Sequence, residues 1–302
     1  MPGSSAAAEK RVGSLWNLGA LTFPQLTRNV FDEIVANNVF GQAAELAFYF
    51  LFALFPLLLI MLTLFGLVAS DDVELQNRFL SYFSGALPPA AFQLLNKVAG
   101  ELTEHASGGK LIFGVVSALW CMSSAISAMI FSVNVAHHVH ETRSWLRVRA
   151  TTLGLSLLIS TVLFLSLLMG LSANHLVRSF GIGLGLHPMA DALYNGLRWL
   201  VAILFVTASC SLIYHCGPAL KLHRRWQWIT PGSTFGTLIW LVASVGLRFY
   251  LKFFNSYSAS YGSLGAVMIL LAWLYVTGLA YLVGVQINAE IERGAGVIFG
   301  PR

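Results

Sequence analysis

Charge is what this sequence has least of. Only 10% of its 302 residues are Asp, Glu, Lys or Arg, while 57% are hydrophobic; soluble domains average about 25% charged. So little charge cannot cover a globular surface, which excludes a soluble domain of this length, and the mean hydropathy of +0.72 agrees. Acidic residues are the scarcer sign, 13 against 18 Lys and Arg. The net charge of +5 would suit nucleic acid only if it lay along one face, and instead the basic residues fall in short segments between apolar runs. Cysteine is nearly absent. Cys121, Cys210 and Cys216 lie in or at the ends of apolar stretches, which excludes a secreted disulfide framework and a CxxC zinc pattern and leaves them as small packing residues. A cleavable signal peptide is not evident either. The first long apolar run starts near Ala43, too deep for a signal core, so that run is expected to serve as its own insertion signal.

Long apolar runs are what the chain does have. A bilayer core needs roughly 20 mostly apolar residues per helix. Six segments meet that need: Ala43 to Ala69, Leu111 to Ala136, Ala150 to Leu171, Gly196 to Cys216, Gly232 to Leu251 and Leu264 to Ile287. Lipid offers no partner for a bare backbone amide, so each is expected to be a helix. The expected fold is all-α, a polytopic membrane bundle of six transmembrane helices. Residues 1–42 form a cytoplasmic N-terminal segment, 43–292 the transmembrane domain and 293–302 a cytoplasmic tail. Between the first two spans, region 70–110 carries Leu94, Leu95, Val98 and Leu102 at helical spacing, broken by Pro88-Pro89 from a shorter run, as suits amphipathic helices on the membrane surface. A smaller surface element is expected over 174–195.

Orientation follows from Lys and Arg in the short loops. Eleven fall on the side of Arg28, Arg143, Lys221 and Arg293, and seven on the other, where the long loop also holds five acids. The basic side is expected to be cytoplasmic, with both termini there.

The last third reads Asn255-Ser-Tyr-Ser-Ala-Ser-Tyr-Gly-Ser-Leu-Gly-Ala-Val, then Leu271-Ala-Trp-Leu-Tyr275, then Gly284-Val-Gln-Ile-Asn-Ala-Glu290. Leu46-Ala-Phe-Tyr-Phe-Leu-Phe-Ala-Leu-Phe-Pro56, Asn134 through Glu141-Thr-Arg143, Gly217-Pro218 and Pro231-Gly232 with Trp240-Leu-Val-Ala-Ser244 accompany it. Together these resemble the YihY/BrkB family of bacterial inner-membrane proteins over roughly Arg28 to Glu292. The resemblance implies a multi-pass inner-membrane protein. Some members carry a virulence-factor name and others an old ribonuclease label, and transport or envelope lipid handling has been proposed for the family. Gln286 departs from the small or acidic residue many members carry there, which removes a charge from that position.

Several polar residues inside the apolar runs are site candidates. Glu45 sits just inside the first span and is either a proton or cation site in a polar cavity or an interfacial carboxylate. Pro56 interrupts the same run, for gating or for plain packing. Ser123, Ser127 and Asn134 share a face of the second span beside a small-residue stripe. Asn134 is expected to meet a last-span face of Thr277, Tyr281, Gly284 and Asn288, the two faces lining a polar interior cavity. Glu290, Glu292 and Arg293 at the end of the last span are expected to pair across helices with Glu141 and Arg143. His137, His138 and His140 do not have HExxH spacing and are expected to be a solvated cluster rather than a metal site. Arg178, Arg198, Arg248 and Lys252 are either snorkelling anchors or an outer basic patch for anionic lipid head groups.

The leading functional expectation is a transporter or lipid-handling protein with a polar cavity, the alternative a structural scaffold of an envelope complex. A ribonuclease has little support, because neither a metal cluster nor a basic–aromatic RNA platform is present in the sequence. No catalytic residue, metal or cofactor is expected. The expected partners are membrane lipids and not nucleic acid, with oligomeric state open.

Overall fold

The computed structural model describes residues 15–68, 108–183, 187–217, 219, 229–253 and 256–295. Among these the chain is all helix. A 3-10 turn (Leu15–Ala20) leads into α1 (Phe23–Ala36) and α2 (Val39–Val68), then α3 (Gly108–Ala136), α4 (Trp145–Gly183), α5 (His187–Cys216), α6 (Pro231–Phe253) and α7 (Ser256–Gly294). The six apolar segments fall in α2 to α7 in order. Leu119–Ala136, Trp145–Leu165 and Val267–Gly294 are long and apolar enough to cross a membrane, and Val39–Leu54, Ile203–Cys216 and Pro231–Leu247 are shorter apolar helices among the described residues. Region 70–110 lies outside the described residues apart from Gly108–Lys110, which open α3. A separate surface element over 174–195 is not what forms: the chain stays in α4 to Gly183 and is already in α5 from His187.

The N-terminal segment contains a helix that the hydropathy pattern passes over, because α1 is amphipathic rather than apolar. Thr22 N donates to Gln25 Oε1 at 3.0 Å, and Pro24 stands in the first turn, where no intrahelical amide is lost. Leu26 and Val30, one turn apart, bury against Leu15 and Ile291. That lays α1 and the preceding turn along the end of α7.

The bundle centres on α7. It packs against α2 and α6 and also touches α3, which pairs with α2; α4 packs on α3 and α5, and α5 reaches α3 and α6. Leu46, Ile130, Val133, Tyr214, Tyr281 and Val285 form its buried core. Small residues set the closest contact, as in membrane bundles where van der Waals fit replaces the hydrophobic effect. Gly232 of α6 and Gly284 of α7 meet backbone to backbone, so a Cβ on Gly284 would stand 2.5 Å from the Gly232 carbonyl and 2.7 Å from Tyr214 Oη. Gly278 lets the Ala43 carbonyl of α2 approach in the same way, at 3.2 Å from its virtual Cβ. The outer surface is apolar. Leu238, Val242, Val245 and Phe249 form an exposed stripe on α6, and Leu157, Leu158, Val162 and Leu165 another on α4. Continuous exposed apolar stripes on packed helices are what lipid covers.

Candidate functional site

The polar chemistry of the bundle collects where α3 and α7 end. α3 stops at Ala136 because the chain reverses there. His138 takes a left-handed φ of 52°, tolerated by His more readily than by branched residues. Val139 N donates to Asn134 O and His138 N to Val135 O, both at 2.9 Å, which completes a Schellman closure. The reversal folds the 139–143 loop back onto α3. Asn134 Nδ2 then donates to Glu141 Oε2 at 3.0 Å, and its Oδ1 accepts from Ala219 N at 2.9 Å. Glu141 accepts from Arg143 Nε at 2.8 Å and Nη2 at 2.6 Å, a bidentate pair, and Arg143 Nη2 also donates to the Gly217 carbonyl at 2.7 Å. This clamp joins the ends of α3 and α5.

His137 lies on the other side of that helix end and is buried, as is Glu292. Its Nδ1 lies 2.8 Å from the Val133 carbonyl and its Nε2 3.3 Å from Glu292 Oε2. A carbonyl only accepts, so Nδ1 carries a hydrogen. Nε2 stands at ion-pair distance from the carboxyl, so a titratable pair bridges the ends of α3 and α7.

Arg293 makes the third junction. Its Nη1 contacts Glu33 Oε1 of α1 and Glu290 Oε1 of α7, each at 2.7 Å, and Nη2 donates to the Ala136 carbonyl at 2.6 Å. His138 Nε2 comes within 3.4 Å of Glu33. Burial pushes the Glu33 carboxyl up, but the Arg293 hydrogen bond and charge, with His138 behind them, leave it below its usual range. Glu141 behaves alike: burial raises it, and the Arg143 and Asn134 hydrogen bonds bring it lower overall.

The structure divides the expected facing pair of helices. Asn134 does not reach the last helix; its partners are its own loop and Ala219. Asn288 Oδ1 instead accepts from Gly232 N at 2.8 Å, and Nδ2 donates to Thr230 Oγ1 at 3.0 Å. It caps α6 from another helix, beside the reciprocal Thr230–Ser233 capping bonds. Thr277 accepts from Trp240 Nε1 of α6 at 3.2 Å. Of the expected last-span face, Tyr281 bonds to α3, donating to the Met129 carbonyl at 3.3 Å while its own carbonyl accepts from Tyr214 Oη at 2.8 Å.

Ser123 is buried and bonds back to Trp120 O of its own helix, and Ser127 is half-buried. Glu45 is exposed on α2, while its neighbours Leu46 and Ala47 are buried, so it stands on the outer face of the helix rather than in a cavity wall. Pro56 lies within unbroken α2 and Arg178, Arg198, Arg248 and Lys252 within α4, α5 and α6; their side chains lie outside the described residues.

Two expectations need correction. The Glu290/Arg293 and Glu141/Arg143 sets pair within themselves, and the bridge between α3 and α7 is instead His137–Glu292 with Arg293 on the Ala136 carbonyl. The histidines are not one solvated cluster, since His137 is 2% exposed while His138 and His140 face outward. Among the described residues no three His, Cys, Asp or Glu side chains are grouped to hold a metal. Glu33 was invisible to a search for polar residues in apolar runs, because its helix is not one; the signal was the Thr22-Phe-Pro-Gln25 start followed by Leu26 and Val30.

Residues 30–297 match the family model described as virulence factor BrkB. The putative ribonuclease-like protein YfkH of Bacillus subtilis is 30% identical, covering 88% of this chain and 94% of that protein. A UPF0761 membrane protein of Tolumonas auensis is 26% identical over 82% of this chain and 79% of its own length. One of Coxiella burnetii is 26% identical, covering 91% and 94%. No solved structure matches.

Proposed function

The chain belongs to the virulence factor BrkB family of membrane proteins, and from that premise we propose that it is a six-span transporter or lipid-handling protein of the bacterial inner membrane. In this reading α2 to α7 each cross the bilayer, residues 43–292 form the membrane domain, and both termini lie on the cytoplasmic side with the polar junctions. The observation that carries it is the buried His137–Glu292 pair. Ionisable groups enclosed in an apolar bundle are expensive and mark ion, proton or substrate paths more often than simple packing. A buried titratable pair where two central helices end suits a gate that opens when its protonation changes and the α1–α3–α7 junction parts.

The test is lipid movement. The full chain is reconstituted in phosphatidylethanolamine–phosphatidylglycerol vesicles with a fluorescent nitrobenzoxadiazole lipid, and dithionite quenching is followed with and without a pH gradient. Transbilayer movement that responds to the gradient and drops at least about tenfold in Glu292→Gln supports the proposal, a loss of about 1.4 kcal/mol in barrier lowering. Protein vesicles that behave as empty ones with both fluorescent phosphatidylethanolamine and phosphatidylglycerol would sink the lipid reading.

The second reading, a scaffold, is supported by how Asn134, Asn288, Thr277 and Tyr281 use their polar groups in bonds between segments of the bundle. The ribonuclease-like name belongs to the B. subtilis relative. We do not extend it to this chain, whose sequence offers neither a nucleophile nor an RNA platform.

A further inference from the structure

Arg149 presents a different problem from the ionisable groups already described. It lies four residues inside the apolar span Trp145–Leu165, about 6 Å along the helix axis. Its guanidinium carbon is 3.6 Å from the centroid of the Trp120 ring. Nη1 donates to Ser124 Oγ and Nη2 to the Trp120 carbonyl, both at 3.2 Å. Those bonds leave one N–H on each terminal nitrogen. Among the described residues no carboxylate pairs with it, in contrast to Arg143 and Arg293.

A fixed positive charge in an apolar span needs a counter-anion. The surroundings indicate where it comes from. Trp120 is 50% exposed, Trp145 is 68% exposed and Leu146 72%, and the two indole rings stand 6.4 Å apart. Trp145 opens the α4 span, where an exposed indole sits at the head-group boundary, and Trp120 meets it from within α3. Contact with the Trp120 ring and the bonds to Ser124 and the Trp120 carbonyl restrain the Arg149 guanidinium, whose planar fork suits bidentate recognition of a phosphate.

We propose that Arg149, with Trp120 and Trp145, forms a binding site for one anionic phospholipid of the surrounding leaflet. The lipid phosphate lies against the remaining guanidinium N–H groups, and its acyl chains run along the exposed Leu146 side. The site stands whether or not the protein moves lipid, and it is separate from the His137–Glu292 junction.

Native mass spectrometry of the detergent-purified full chain tests it, with titration of palmitoyl-oleoyl phosphatidylglycerol or phosphatidylcholine. The expected result is a first phosphatidylglycerol bound about five-fold or more tighter than phosphatidylcholine, and loss of that preference in Arg149→Gln. Equal affinity for the two lipids in the native chain, or an unchanged preference in Arg149→Gln, would overturn it, because an arginine that merely snorkels does not select a head group. Displacement of the bound lipid by millimolar glycerol phosphate would also overturn it, since the site would then read a soluble phosphate ester. Should Arg149→Gln not accumulate, Trp145→Leu at an exposed position decides: the preference falls if the site is real and persists if it is not.

Discussion

Adding one methyl group at Gly284 is the sharpest way to probe how α6 and α7 meet. A Cβ there would lie 2.5 Å from the Gly232 carbonyl oxygen and 2.7 Å from Tyr214 Oη. Ordinary contact begins near 3.4 Å, so the two helices must separate by about 0.9 Å (3.4 − 2.5). Backbone on the facing side cannot swing away as a flexible side chain can. Overpacking of this kind costs about 1–3 kcal/mol; the separation stretches the Asn288–Gly232 bond from 2.8 Å, and the clash with Tyr214 Oη disturbs its bond to the Tyr281 carbonyl. At about 2–4 °C per kcal/mol, Gly284→Ala should lower the melting temperature of the detergent-solubilised protein by about 2–12 °C. Size-exclusion chromatography after graded heating reads this directly. Gly246→Ala is the control: it lies on α6 with nothing within 4 Å of its virtual Cβ, so the substitution gains helix propensity, at most about 1 kcal/mol. The two variants should move in opposite directions. If Gly284→Ala were as stable as Gly246→Ala, the close backbone contact would be wrong.

The remaining predictions concern the polar junctions. Asn288→Leu keeps the volume but strands the buried Gly232 amide, while Thr230 keeps its Ser233 bonds; a loss of about 1–3 kcal/mol is expected, read in the same heating assay against Asn288→Ala. An unchanged melting temperature would show that α6 is not capped from α7. Acid sensitivity follows from Glu33 and Glu141, both held below the ordinary value near 4.5 in the folded protein. The folded state therefore binds fewer protons than the unfolded, so their contribution is complete above that value and lost as pH falls through the depressed one. Glu33→Gln should lower stability at pH 7 and flatten the decline below about pH 4.5, and a decline as steep as the native chain's would remove Glu33 from the account.

Much of the architecture was legible because lipid is an unforgiving solvent for backbone. Apolar runs of the right length had to be helices, and the helices found contain them in order. The capping residues Thr22, Thr230 and Ser233 were equally local signals. Rotation about each helix axis was not legible. In a soluble helix the polar face marks the outside, but here both faces are apolar, so nothing in the run around Glu45 says which side is buried. Ala43, Leu46 and Ala47 turn inward, and Glu45, 200° around from Ala43, turns out.

The polar site was decided by tertiary structure for a related reason. The reversal at His138 turns Asn134 to its own loop and leaves His137 enclosed, although the sequence shows three similar histidines close together. The amphipathic α1 brings Glu33 to Arg293 across 260 positions of chain, a distance no local pattern spans. The sequence alone determined that this protein lives in a membrane as a helical bundle, because solvent chemistry acts on every residue separately. Which buried groups share a proton or a counterion was decided only by packing, because that depends on which helices touch and in what register.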